Sequence, residues 1–174
     1  MVEMVLTRTM GNEQYMLGRL EEFTTGFTCK TMERRDPRYW HGMKNYCAIK
    51  EGRYKVKIVT NQDLSFGLRI AQMGAYRNAI IDGEAVPFNM PAGSIAVGVS
   101  FKPEDHALIG SDSVRKGLDK WVRSLYANGH ISSFERSGEI MLKVQYGEFY
   151  TYKNDAPIKE EKEVANEENF NFMQ

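Results

Sequence analysis

The sequence predicts a mainly β fold: a small β-barrel or sandwich of about eight strands, with one α-helix at about 111–128 and a charged C-terminal arm. Three observations predict it. Short segments rich in β-branched and aromatic residues alternate apolar with polar and are separated by Gly and Asn turns. One stretch alone carries apolar residues at helical spacing. After Tyr152 the composition changes to a charged run with almost no core-forming side chains.

Met1 to Leu6 and Gln14 to Leu20 read as strands, with Gly11-Asn12 as the turn signal between them. Gly26 to Met32 alternates and suits a third strand, running into a polar loop from Glu33 to Lys44. From Tyr54 the period is two, with Tyr54, Val56 and Ile58 on one face and Lys55 and Lys57 on the other. Leu68 to Met73 and Asn78 to Ile81 are two short strands broken at Gly74, and Ser94 to Val99 is a small-residue apolar run that suits a buried strand after the Pro-containing loop Glu84 to Ala92.

The helix is marked by Val114, Leu118, Trp121, Val122 and Leu125, by N-cap candidates in Ser111-Asp112-Ser113, and by an Asn128-Gly129 stop. Its stripe reads as the face packed on the sheet. Ile140 to Tyr146 alternates again as the last core strand. The expected organisation is a β-rich domain over 1–152 and a tail or docking arm over 153–174.

Lys and Arg total 23 against 23 for Asp and Glu, and this zero balance argues against a general electrostatic grip on nucleic acid or an anionic membrane. No apolar run approaches the roughly 20 residues of a membrane span. The N-terminus lacks the basic and long apolar regions of a signal peptide, so a location in the cytoplasm, or in a particle assembled there, is expected. Cys29 and Cys47 fit no zinc spacing; they are read as two buried thiols, with a disulfide as the alternative. No nucleotide-binding motif occurs, and no cofactor or metal is expected.

Four blocks occur in order: Leu6-Thr7-Arg8-Thr9 with Leu17-Gly18-Arg19-Leu20; Phe27-Thr28-Cys29-Lys30-Thr31-Met32-Glu33; Tyr46 to Val56, with Ala48-Ile49 and Gly52-Arg53-Tyr54; and Ile80-Ile81-Asp82-Gly83 through Ala92-Gly93-Ser94-Ile95-Ala96-Val97-Gly98. Over residues 4 to 146 this set resembles a family of small domains of unknown function found in phages and prophages of Bacteroides-type bacteria. The His and Gly-Cys signature of that family is in turn similar to the L,D-transpeptidase active site. Here Asp82 stands at the His position and Ser94 at the Cys position, and Glu84 replaces the Asn that follows His and Gly.

The transpeptidase chemistry needs a thiolate and a neighbouring imidazole. Ser94 has a far less acidic hydroxyl, and Asp82, with an ordinary pKa near ~3.9, is a poor base at neutral pH. Ser94 therefore reads as a small residue opening a core strand. The competing readings are a weak Ser/Asp hydrolase and a Ser94–His106 pairing oriented by Asp82 or Asp105. His41 and His130 form no ligand pair.

Arg34-Arg35-Asp36-Pro37-Arg38-Tyr39-Trp40-His41 interleaves basic and aromatic residues. Arg34, Arg35, Arg38, Tyr39 and Trp40 have the composition of a protein interface, with a plain surface loop or a nucleic-acid or glycan platform as alternatives. In the tail, Phe170 and Phe172 end the charged run as candidate docking residues, against the plainer reading of a solvated segment.

The resemblance and the replaced site residues together imply a non-enzymatic bacteriophage structural or adaptor protein. It would be a virion component of tail or neck type on a degenerate peptidoglycan-enzyme scaffold, contacting other phage structural proteins in an oligomeric assembly. The alternatives are a peptidoglycan-active enzyme or cell-wall binder, and an intracellular phage effector binding a host factor.

Overall fold

The computed structural model describes residues 1–42, 46–71, 80–82, 90 and 92–153; for Ile80 and Asp82 it describes the backbone alone. Among these residues ten strands and one α-helix follow in order: β1 (Val2–Gly11), β2 (Tyr15–Glu22), β3 (Phe27–Arg34), β4 (Gly52–Thr60), β5 (Phe66–Ile70), β6 (Ile80–Asp82), β7 (Ile95–Gly98), β8 (Ser100–Lys102), β9 (Ala107–Ile109), α1 (Ser111–Ala127) and β10 (Ile140–Tyr152). Eight of the strands close into a barrel in the order β1-β10-β4-β5-β6-β7-β3-β2, and β8 with β9 forms a separate hairpin. The fold is the small mainly β barrel with one helix that the sequence predicts.

Most neighbouring pairs are antiparallel, as short turns demand. Two are parallel. β1 runs beside β10, with Val2 opposite Ile140 and Arg8 opposite Tyr146. β6 runs beside β7, with Ile81 opposite Ile95 and Asp82 opposite Ala96.

The alternation read from the sequence becomes the inside and outside of the barrel. Val2, Met4 and Leu6 of β1, Val56 and Ile58 of β4, Ile95 and Val97 of β7, and Ile140, Leu142 and Val144 of β10 belong to one buried cluster. An eight-stranded barrel is just wide enough for such side chains to fill its lumen. The helix stripe Val114, Leu118, Trp121, Val122 and Leu125 joins the same cluster, so α1 seals the barrel on its β5–β7 side. Burying each of these side chains contributes about 1.5–3 kcal/mol.

A second, smaller cluster lies on the outer face of β2, β3 and β7, where Tyr15, Met32, Met90, Ala96 and Leu108 are buried with Met10, Leu17 and Phe101 against them. The β8–β9 hairpin covers that face. It turns through Pro103–Asp105, with His106 in the left-handed region at φ 48°.

Several expectations shift in detail. The first strand continues to Gly11 and the last to Tyr152, both beyond their apolar runs. The third strand includes Glu33 and Arg34, which the sequence assigns to the loop. The helix N-cap is Gly110, at φ 78°; Ser111 is already helical and its hydroxyl donates to the Val97 carbonyl at 2.8 Å instead of capping. The Asn128-Gly129 stop holds, with Gly129 at φ 75° and the His130 amide donating to the Leu125 carbonyl. The β8–β9 hairpin is additional to the strands expected. Most of the Glu84 to Ala92 loop and the Gly74 break lie outside the described residues.

Among the described residues no helix is long and apolar enough to cross a membrane. Cys29 and Cys47 are buried thiols, not a disulfide. Burial pushes the Cys29 thiol up to about 12.

Candidate functional site

Three inward-facing rows of the barrel end in polar side chains at the same mouth. On β1 the row Val2, Met4, Leu6 continues to Arg8; on β10 the row Ile140, Leu142, Val144 continues to Tyr146; on β3 the row Cys29, Thr31 continues to Glu33. Arg8 is fully buried and Glu33 is 2% exposed. The guanidinium of Arg8 faces the carboxylate with two bonds, Nε to Oε1 at 3.0 Å and Nη2 to Oε2 at 2.8 Å. Its remaining donors reach the Ile49 carbonyl at 2.5 Å and the Tyr146 hydroxyl at 3.0 Å. The Glu33 carboxylate keeps Arg8 charged, raising its pKa against the opposing effect of burial.

The Tyr146 hydroxyl passes the network on by donating to Asp36 Oδ1 at 2.7 Å, while Tyr150 donates to Oδ2 at 2.6 Å. The Arg38 backbone amide and its side chain also donate to Asp36. Burial alone would raise the Asp36 carboxyl, but these four groups outweigh it and hold its pKa below the ordinary value. Burial and the bond to Asp36 together raise both tyrosines, so the phenols stay protonated. The Arg38 guanidinium carbon lies 3.3 Å from the Tyr146 ring centroid and 4.9 Å from that of Tyr150, a stacked cation on an aromatic corner.

This network anchors the loop after β3 to the barrel mouth. Its carboxylates are engaged, its phenols are held neutral and its cations are paired. It is built to position a loop and offers no activated nucleophile. What the loop presents outward is Tyr39, 48% exposed and stacked on Tyr152 with centroids 3.9 Å apart, beside Arg38.

The binding residues expected from sequence therefore divide. Arg38 and Tyr39 lie at the surface of the anchored loop. Arg34 and Arg35 are buried, donating to the Met90 and Tyr46 carbonyls at 3.3 and 3.2 Å. Trp40 is partly exposed and packs under the Arg35 guanidinium at 4.3 Å. Phe170 and Phe172 lie outside the described residues.

Asp82 and Ser94 fall on the adjacent parallel strands β6 and β7. Asp82 is opposite Ala96, so Ser94 lies two residues before its register partner. Ser94 is 5% exposed, just before β7. His106 Nδ1 is 2.9 Å from the Tyr15 hydroxyl, on the hairpin side of the second cluster.

Sequence reasoning did not single out Arg8, Glu33, Tyr146 or Tyr150. The signal was present: Arg8 and Tyr146 each continue a period-two apolar row, so an inward-facing charge and phenol were implied.

A further feature lies just outside this mouth. Arg8 pairs with Tyr146 and Met10 with Thr151, so Gly147 to Tyr150 bulge opposite Thr9 alone. The bulge turns Tyr150 back onto Asp36 and leaves Phe149 86% exposed.

Compared with known proteins, the sequence matches no family model, and no curated protein and no solved structure matches it.

Proposed function

We propose that this chain is a non-enzymatic bacteriophage structural or adaptor protein, a virion component of tail or neck type built on a degenerate peptidoglycan-enzyme scaffold. The observation that carries the reading is the state of the two signature positions. Where the resembled family has a cysteine, this chain has Ser94, nearly buried at the entry of a core strand, and where it has histidine, this chain has Asp82.

A hydroxyl with little access and no imidazole supplied at the signature position lacks the activation that acyl transfer requires. The best-organised polar network of the barrel instead fixes a loop carrying Arg38 and Tyr39, side chains of the kind that anchor protein interfaces. Phage origin rests on the resemblance of the four sequence blocks.

Mass spectrometry of purified particles of the encoding phage tests this. Presence at a fixed, stoichiometric copy number is expected. Absence from particles, together with muropeptide turnover that Ser94→Ala abolishes, would assign the chain to cell-wall chemistry instead.

A further inference from the structure

The bulge of β10 borders a cleft of about 260 Å³ lined by Thr9, Arg19, Gly147, Glu148, Phe149 and Tyr150. A second cleft, of about 230 Å³, lies on the outer face of β2 and β3 beneath the β8–β9 hairpin, with Leu17, Lys30, Phe101 and Leu108 among its walls. Thr9 and Arg19 line both, so the two clefts form one groove with two compartments. Each compartment has an aromatic wall, Phe149 in one and Phe101 in the other. Arg19 and Lys30 stand opposite each other in the β2–β3 register, supplying two cations along the floor. Arg19 meets Glu21 at 2.6 Å in an exposed ion pair, which contributes little and exchanges readily.

The chain itself contains a segment of matching chemistry. Residues 154–174 follow Lys153, whose amide is bonded to the Gly11 carbonyl at the end of the strand that forms the bulge. The run 159–168 holds five glutamates and two lysines, an acidic excess complementary in charge to Arg19 and Lys30. Asn169-Phe170-Asn171-Phe172 alternates polar and apolar. In an extended strand it would place both rings on one side, about 6.6 Å apart, and two adjoining clefts call for two side chains on one face. From Lys153 to Phe170 an extended chain spans up to roughly 55 Å, ample to return to a groove whose wall is residues 147–150.

We propose that the groove is the seat of the chain's own C-terminal segment, with Phe170 and Phe172 in the two compartments and the glutamate run along Arg19 and Lys30. This intramolecular contact covers Phe149 and Phe101 and stands independently of the virion reading.

The test uses the full chain carrying Thr9→Cys and Asn171→Cys, treated when dilute with a short thiol cross-linker. Tyr126→Cys with Asn171→Cys serves as control, since Tyr126 is 49% exposed on the helix, away from the groove. Intramolecular cross-linking several-fold faster for 9–171 than for 126–171 is expected. Equal rates would overturn the proposal, and a 9–171 link formed only between molecules would overturn the intramolecular seat and give the groove to a neighbouring copy. Amide exchange of the full chain supplies a second reading that needs no cysteine. The Phe170→Ser, Phe172→Ser double variant should exchange several-fold faster than the parent over 147–150 and 17–19; unchanged exchange there would overturn the proposal.

Discussion

Arg8 and Glu33, 25 residues apart in the chain, meet as a two-bonded ion pair inside the barrel, with Nη2 and Oε2 at 2.8 Å and both side chains all but inaccessible to water. Each charge has lost its hydration, so each depends on the other and on the Ile49 carbonyl and Tyr146 hydroxyl around them. Arg8→Met leaves a buried carboxylate uncompensated and should cost about 3–5 kcal/mol in urea unfolding. The double variant Arg8→Met, Glu33→Leu should cost clearly less than the two single changes added together. Additive losses would show that the pair is not coupled.

Asp36 organises the loop beyond the mouth and predicts an acid limb of stability. Its folded-state pKa is lowered, so its contribution is full above the ordinary carboxylate pKa of about 4 and is lost as pH falls through the depressed folded value. Asp36→Asn should lower the melting temperature at pH 7 and flatten the fall in stability below pH 4. An unchanged acid limb would mean that the bonds from Tyr146 and Tyr150 do not hold the charged form.

Glu22 does the same at the opposite end of the barrel. Burial pushes its carboxyl up, but bonds from Thr25 and Thr24 outweigh this and hold it at about 2, while the Trp121 indole N–H donates to it at 3.3 Å. Its stabilisation should therefore disappear between about pH 4.5 and 2. Tryptophan emission should shift over the same interval, and Glu22→Gln should remove that shift.

Cys29 faces the core and its thiol is raised to about 12, so it is protonated at any ordinary pH. Ellman's reagent at pH 8 should leave both cysteines of the native protein unmodified, and titrate two thiols once denaturant is added. Rapid native reaction would show that the barrel opens around β3.

Gly18 sits in β2 where a Cβ would lie 2.5 Å from the Thr7 carbonyl and 3.0 Å from the Thr31 hydroxyl. The backbone cannot yield without breaking the β1–β2 ladder, so Gly18→Ala should destabilise by roughly 1–3 kcal/mol in thermal or urea unfolding. At Gly117 the nearest atom to an added Cβ is 3.9 Å away, so Gly117→Ala should be neutral or stabilising there.

By itself the sequence determined what local periodicity carries. The alternation of Tyr54, Val56 and Ile58 gave β4 its inner face, the Val114 to Leu125 stripe gave the helix its buried side, and Asn128-Gly129 gave its end. A strand's two faces and a helix's stripe are properties of neighbours in the chain, so they can be read there.

The tertiary structure decided what depends on partners far along the chain. The parallel pairing of β1 with β10 closes the barrel, and it joins residues about 140 positions apart whose register no local pattern encodes. That closure brings Arg8, Glu33 and Tyr146 to one mouth, and the fold around it buries the first two arginines of the Arg/aromatic loop, leaving Arg38 and Tyr39 to face outward. A charge is buried or exposed according to whether a distant strand supplies its counter-charge and hydrogen bonds, and only the closed fold supplies them.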